Sequence, residues 1–145
     1  MRALLQRVSR ASVSVLGDEV ARIGPGLLIL LGVAAGDAPG VEERLASRCA
    51  ELRIFEDEQG RMNRSVREVG GAALVVPQFT LCADTSRGRR PSFDPAAPPG
   101  SAERVFVSFC GHLERLEVPT QRGRFGATMV VDLTNQGPAT FLLEC

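Results

Sequence analysis

Alternating polar and apolar residues dominate both ends of the chain, and helical spacing appears between them. Residues 2–8 and 12–23 read as strands, the second stretch as a hairpin around Leu16-Gly17-Asp18-Glu19, where turn-forming residues separate Val13 and Val15 from Val20 and Ile23. Gly24-Pro25-Gly26 punctuates the chain. Leu27–Val33 is then uniformly apolar, which suits a strand covered on both faces. After a break over residues 36–40, Val41, Leu45, Cys49 and Leu52 recur at helical spacing while Glu42, Glu43, Arg44, Arg48 and Glu51 take the other face. This predicts an amphipathic helix lying on a sheet. Ala72–Val76 reads as another buried strand, delivering Gln78-Phe79-Thr80 at or just past its end.

Residues 82–100 read as loop, because Pro91, Pro95, Pro98 and Pro99 exclude regular structure over most of that length. A loop this long in a small domain is usually functional or mobile. Ser101 is placed to cap a second helix whose Ala102, Val105, Phe106, Phe109, Cys110 and Leu113 form one apolar stripe, with His112 off it. Arg124–Thr134 alternates again, Asn135–Pro138 is expected to turn the chain, and Thr140–Leu143 is expected as a last strand. Two helices inserted between strand-rich ends, without strict β-α-β alternation, predict a single α+β domain over residues 1–145.

Composition narrows this picture. At 145 residues the chain is long enough for one domain with a real core, and its 44% hydrophobic and 23% charged content fits a soluble globular protein. No apolar run approaches the roughly 18–20 residues of a membrane span, and polar residues interrupt the N-terminus before a signal-peptide core forms. A cytoplasmic protein without a membrane partner is the expectation. All seventeen basic residues are arginine, matched by seventeen acids, and zero net charge argues against coating DNA or long RNA, a mode that relies on many phosphate neutralisations. Cys49, Cys82, Cys110 and Cys145 lie far apart, with no Cys-x-x-Cys pair or nearby His to suggest zinc, and read as reduced, inert thiols.

Conventional catalytic equipment is scarce. The single His leaves a Ser-His-Asp or Cys-His arrangement without a base, and no P-loop or GxGxxG opens a helix. Glu42-Glu43 and Glu56-Asp57-Glu58 read as solvated charge. Thr80 reads either as a nucleophile beside Gln78 or as a strand threonine bonded to backbone, and Gln78 either as a site residue or as a loop amide. Gly137-Pro138 is either an ordinary turn or, in a site, a group acting through backbone geometry, since Gly tolerates unusual dihedrals and Pro can hold a cis bond. Arg87, Arg89 and Arg90 place three guanidiniums within four loop residues, and Arg122 and Arg124 flank Gly123. Such forks match phosphate oxygens, so a local patch suits the end of an RNA as well as it suits plain solvation.

Together these segments resemble the D-aminoacyl-tRNA deacylase family over nearly the whole chain. Met1-Arg2 with Gln6-Arg7-Val8, Gly26-Leu27-Leu28, Met62-Asn63-Arg64-Ser65-Val66, Gln78-Phe79-Thr80-Leu81, Arg87-Gly88-x-Arg90-Pro91-Ser92-Phe93, Gly123-Arg124-Phe125-Gly126-Ala127-x-Met129 and Asn135-x-Gly137-Pro138-x-Thr140 occur in family order. The resemblance implies a homodimeric hydrolase with two helices on a curved, barrel-like mixed sheet and no cofactor. Its partner is the aminoacylated 3′ end of tRNA, and it cleaves the ester that joins a D-amino acid, or glycine mischarged on tRNA-Ala, to the terminal ribose. It further implies that Gly137-Pro138 is cis, comes from the partner subunit, and excludes an L side chain by its carbonyls. By the same resemblance, Arg7 holds that pair, Gln78 and Thr80 line the catalytic pocket, and Pro77, Met129, Asn135 and Thr140 surround the substrate, while Phe79, within the same motif, reads equally as a substrate contact or as core.

The resemblance also accounts for the missing base. An aminoacyl ester is activated already, and the family is thought to use the ribose 2′-hydroxyl to assist water while backbone N–H groups steady the oxyanion. Pro77 departs from the family's usual Ser-Gln-x-Thr and resembles a related animal deacylase that acts on L-alanyl-tRNA. Gln136 between Asn135 and Gly137, together with Arg7, resembles the D-specific group instead. A relaxed-range deacylase and a non-catalytic aminoacyl-tRNA-binding module stand as alternatives.

Overall fold

The computed structural model describes residues 1–145. In chain order the elements are β1 (Arg2–Val15), β2 (Asp18–Ile23), β3 (Gly26–Gly32), α1 (Val41–Glu51), β4 (Phe55–Glu56), β5 (Met62–Arg64), β6 (Ala72–Pro77), a 3-10 turn (Phe79–Cys82), α2 (Pro99–Arg115), β7 (Thr120–Arg122) and β8 (Val130–Glu144). The main sheet runs β2-β1-β3-β6-β7, with β8 paired to the remaining edge of β1. Pairing is parallel for β3 with β6 and for β6 with β7, and antiparallel elsewhere, so the sheet is mixed. The expected α+β class and two helices are present, and the sheet curls into a nearly closed barrel.

Two cores explain which strands had to be apolar throughout. Leu27, Ile29, Leu31, Ala73 and Val75 face one core, filled from the helices by Leu45, Cys49, Phe106 and Phe109. Leu28, Leu74 and Val76 face a second core inside the curl, with Val8, Ala11, Val13 and Ile23. Strands β3 and β6 are therefore covered on both sides, as uniform apolar runs demand.

The separate N-terminal strands expected from the sequence are one. Alternation in β1 puts Ala3 and Leu5 toward the helices and Val8 inward, and one extra residue between Val8 and Arg10 then restores the phase so that Ala11 and Val13 rejoin Val8. Ser9 and Arg10, both exposed, look like a break because they form this bulge. The following turn is placed as expected, with positive φ at Leu16 (54°) and Gly17 (90°).

Three other expectations need correction. Helix α2 starts at Pro99, and Ser101 is inside it: no side chain caps the helix, and the Ser101 hydroxyl donates to the Pro98 carbonyl at 2.8 Å. Proline fits a first helical position because its missing N–H would be unpaired there anyway. The alternating run 124–134 becomes strand only from Val130 onward. Residues 135–138 do not reverse the chain; they bulge from the continuous strand β8, which resumes pairing with β1 at Thr140. The short hairpin β4–β5 carries no apolar alternation that would have announced it.

Candidate active site

A cleft of about 760 Å³ opens where the ends of β3 and β6 meet the start of α2. Its walls are mostly apolar, with Val33, Val76, Phe106, Phe125, Met129 and Val131 among them, and Pro77, Gln78 and Phe79 form one rim. A cleft at strand ends, apolar with few polar groups, is the usual form of a small-ligand site. A second hollow of about 670 Å³, lined by Glu51, Arg53, Ser65, Arg67, Glu68 and Glu117, contains no apolar residue and none of the residues expected to bind substrate or RNA.

The rim is built by a 3-10 turn pressed onto β3. The Gln78 N–H donates to the Leu31 carbonyl at 2.8 Å, and Leu81 N–H closes back on the Gln78 carbonyl at 3.2 Å. Gly32 permits this approach: a Cβ there would sit 3.0 Å from the Leu81 Cβ, 3.1 Å from the Cys82 Sγ and 3.1 Å from the Gln78 carbonyl oxygen. Phe79 and Thr80 open the turn, so their N–H groups have no acceptor within it. The Gln78 side-chain amide donates to the Thr80 hydroxyl, and Thr80 itself is exposed. No ionisable side chain contacts that hydroxyl.

Arg7, Asn135, Gly137, Pro138 and Thr140 form a second group, and none of them lines the cleft of their own chain. In the β1–β8 ladder Gln6 faces Thr140 and Val8 faces Asn135, leaving residues 136–139 opposite Arg7 alone. The Arg7 side chain is buried, with Nε donating to the Gln136 carbonyl at 3.1 Å and Nη1 to the Ile54 carbonyl at 2.7 Å. Asn135 closes the bulge from the other side: its Oδ1 accepts from Ala139 N–H at 3.1 Å and its Nδ2 donates to the Thr140 hydroxyl at 2.9 Å. Held this way, Gly137 and Pro138 project into solvent across a cis peptide bond.

Arg87, Arg89 and Arg90 are exposed at the tip of the long loop. The base of that loop is tied down by paired N–H to carbonyl bonds between Asp84 and Ser92 (2.8 and 2.9 Å) and by Ala97 N–H to Val33 (2.9 Å). Phe93 then meets Phe79 edge-on, ring centroids 5.0 Å apart, joining the loop to the cleft rim. Arg122 is committed to Glu114 at 2.6 Å.

Several cleft residues carried no site assignment in the sequence. Phe106 belongs to the apolar stripe of α2 and serves as both core and cleft wall, while Phe93 and Phe125 stand inside resemblance motifs without a role of their own. A Phe on an apolar stripe gives no sign of which neighbour it faces.

All four thiols are free. Burial pushes Cys49 and Cys110 up to about 12 and raises Cys82 as well. Burial also acts upward on Cys145, but hydrogen bonds and charge from Arg48 and Arg44 outweigh it and hold this thiol below its ordinary value. The thiolate is the reactive form. Titration of the native protein with a disulfide reagent at neutral pH should therefore label Cys145 first and reach Cys49 and Cys110 only on unfolding.

A family model described as D-Tyr-tRNA(Tyr) deacylase matches residues 4–144. The chain belongs to that family. A D-aminoacyl-tRNA deacylase of Cereibacter sphaeroides (strain KD131 / KCTC 12085) is 57% identical over 144 residues, 99% of each chain. One of Roseiflexus sp. (strain RS-1) is likewise 57% identical, over 99% of this chain and 93% of its own. Among solved structures, one titled c-Myc DNA Unwinding Element Binding Protein superposes with a TM-score of 0.94 at 38% identity, covering 100% of this chain and 99% of that one. A probable eukaryotic D-amino acid tRNA deacylase shares the fold, with a TM-score of 0.80 at 18% identity over 98% and 97% of the two chains. Like its family, the protein is a hydrolase of the aminoacyl-tRNA ester bond. No helix is long and apolar enough to cross a membrane.

Proposed function

We propose that the protein removes D-amino acids, and glycine mischarged on tRNA-Ala, from tRNA, and that a homodimer enforces the chirality. The observation that carries this reading is the separation of two built parts on one chain. Phe79 lines the cleft and shares with neighbouring Thr80 a turn that leaves both N–H groups without an acceptor inside it, while the exposed Gly137-Pro138 bulge is held by residues that line no part of that cleft. A second copy supplies the projection to the first copy's cleft, where its main-chain carbonyls leave room for hydrogen but not for an L side chain.

The chemistry follows from what the rim contains. Water, assisted by the 2′-hydroxyl of the terminal ribose, adds to the ester carbonyl. The N–H groups of Phe79 and Thr80 receive the developing negative charge, and the bond to the ribose oxygen breaks as that oxygen takes a proton. Gln78 fixes the Thr80 hydroxyl, and Thr80 acts through its backbone. Pro77 and Met129 shape the wall beside the amino acid, and Arg87, Arg89 and Arg90 grip phosphates near the RNA end.

Hydrolysis of D-tyrosyl-tRNA and L-tyrosyl-tRNA side by side tests the reading. Faster release of the D-amino acid is expected; binding of both without release would indicate a tRNA-binding module. Thr80→Ala is expected to keep appreciable D-specific activity because the backbone N–H survives, and complete loss in a folded variant would instead make the hydroxyl a reacting group.

A further inference from the structure

We infer that Arg2 is a positioning residue for the reaction, acting through the far end of the 3-10 turn that carries Phe79 and Thr80. This rests on the reading of those two N–H groups as the oxyanion donors. Arg2 stands at the start of β1, directly across the ladder from Gly32, the residue on which the turn is packed. From there its side chain crosses to the turn, and Nη1 donates to the Leu81 carbonyl at 2.7 Å. Its Nε lies 2.8 Å from the Glu144 carboxylate of β8 in an ion pair.

The turn is thus anchored on both sides of its two free donors. Before them, Gln78 N–H is bonded to Leu31; after them, the Leu81 carbonyl is bonded to Arg2. A 3-10 turn of four residues has few bonds of its own and weak geometry. An anchor missing at either end lets the peptide planes between rotate. Preorganised donors are valuable because they need no reorganisation as charge develops, and misplacement by about 1 Å costs on the order of a hundredfold in rate. A guanidinium makes a good anchor of this kind, since its planar fork can hold a carboxylate and a carbonyl at once, whereas an ammonium must choose.

The Glu144 contact separates positioning from general stability. Both partners of that ion pair are substantially exposed, at 43% and 58% for the two side chains, so it contributes little to stability. Glu144→Gln removes its charge and leaves the Leu81 bond in place.

The test compares wild type, Arg2→Met, Arg2→Lys and Glu144→Gln for turnover of D-tyrosyl-tRNA, with hydrogen exchange followed across residues 77–83. Arg2→Met is expected to lower kcat by tenfold or more with KM within about twofold, and to speed exchange at Leu81 and Ala83, whose N–H groups are bonded to the Gln78 and Thr80 carbonyls in the turn. Arg2→Lys should recover part of kcat, and Glu144→Gln should match wild type. Unchanged kcat and exchange in Arg2→Met, or an equal loss in Glu144→Gln, would overturn the inference while leaving the deacylase reading intact. A wild type that does not favour the D-ester would remove the reading and the inference with it. Should Arg2→Met fail to fold, slowed turnover and faster exchange in Arg2→Lys decide for the inference, and wild-type values for both decide against it.

Discussion

Gly137→Ala is expected to cut the preference for D- over L-tyrosyl-tRNA by at least about tenfold, or ~1.4 kcal/mol of discrimination. Two features of the position require glycine. Its φ is +124°, where an L side chain is strained at a cost of about 1–3 kcal/mol. An added Cβ would also lie 2.8 Å from Arg7 Nη2 and 3.1 Å from the Ala139 nitrogen. A long side chain can usually swing aside, but Arg7 is buried and bonded through Nε and Nη1, so yielding would break the contacts that hold Gln136 and Ile54. The bulge must therefore move, and in the proposed function the bulge is what discriminates. Gly17→Ala is the control, because it places a methyl at positive φ (+90°) with nothing within 4 Å. It should lower the melting temperature and leave the D/L ratio alone; an equal ratio in Gly137→Ala would remove the gate from the proposal.

How much of this was legible depended on whether the chemistry was local. Leu27–Val33 and the α2 stripe announced their burial because period and apolar content act within a few residues of chain. The Gln78-Phe79-Thr80 rim followed, since a strand that ends must release its next residues near the sheet edge. The bulge at 135–138 reads as a reversal from sequence because Asn-x-Gly-Pro has turn composition whether the chain folds back or merely swells. Only the ladder partner decides, and that partner, Arg7, is 129 residues away from Gln136 in sequence. Distance also hid the hairpin β4–β5, which meets Arg7 through Glu56 and, just before β4, through the Ile54 carbonyl 47 residues away, and which has too few residues to show a period. Resemblance supplied what periodicity could not. It marked Arg7 and Gly137-Pro138 together, and the structure gives the physical connection between them within one chain.

Arg7→Met is expected to destabilise the protein by about 2–4 kcal/mol and to loosen the bulge at the same time. The magnitude follows from what methionine leaves behind. The carbonyls of Gln136 and Ile54 lose charged donors at 3.1 and 2.7 Å, and an acceptor left without its partner costs about 1–3 kcal/mol. The ion pair with Glu56 adds little, because it spans 3.6 Å and the Glu56 side chain is 60% exposed. Glu56→Gln should accordingly change stability by less than about 0.5 kcal/mol, which distinguishes a hydrogen-bonding role for Arg7 from an electrostatic one. Arg7→Lys should fall between, since an ammonium can serve one carbonyl more easily than two at the angles a guanidinium spans. Urea unfolding measures the first effect, with an unchanged slope showing that the native fold is retained, and the D/L release ratio measures the second. Loss of stability with an intact ratio would confine Arg7 to the fold. Loss of both would mean that one buried cation joins hairpin, sheet and the proposed gate, so that the discriminating dipeptide is only as well placed as the interior that anchors it.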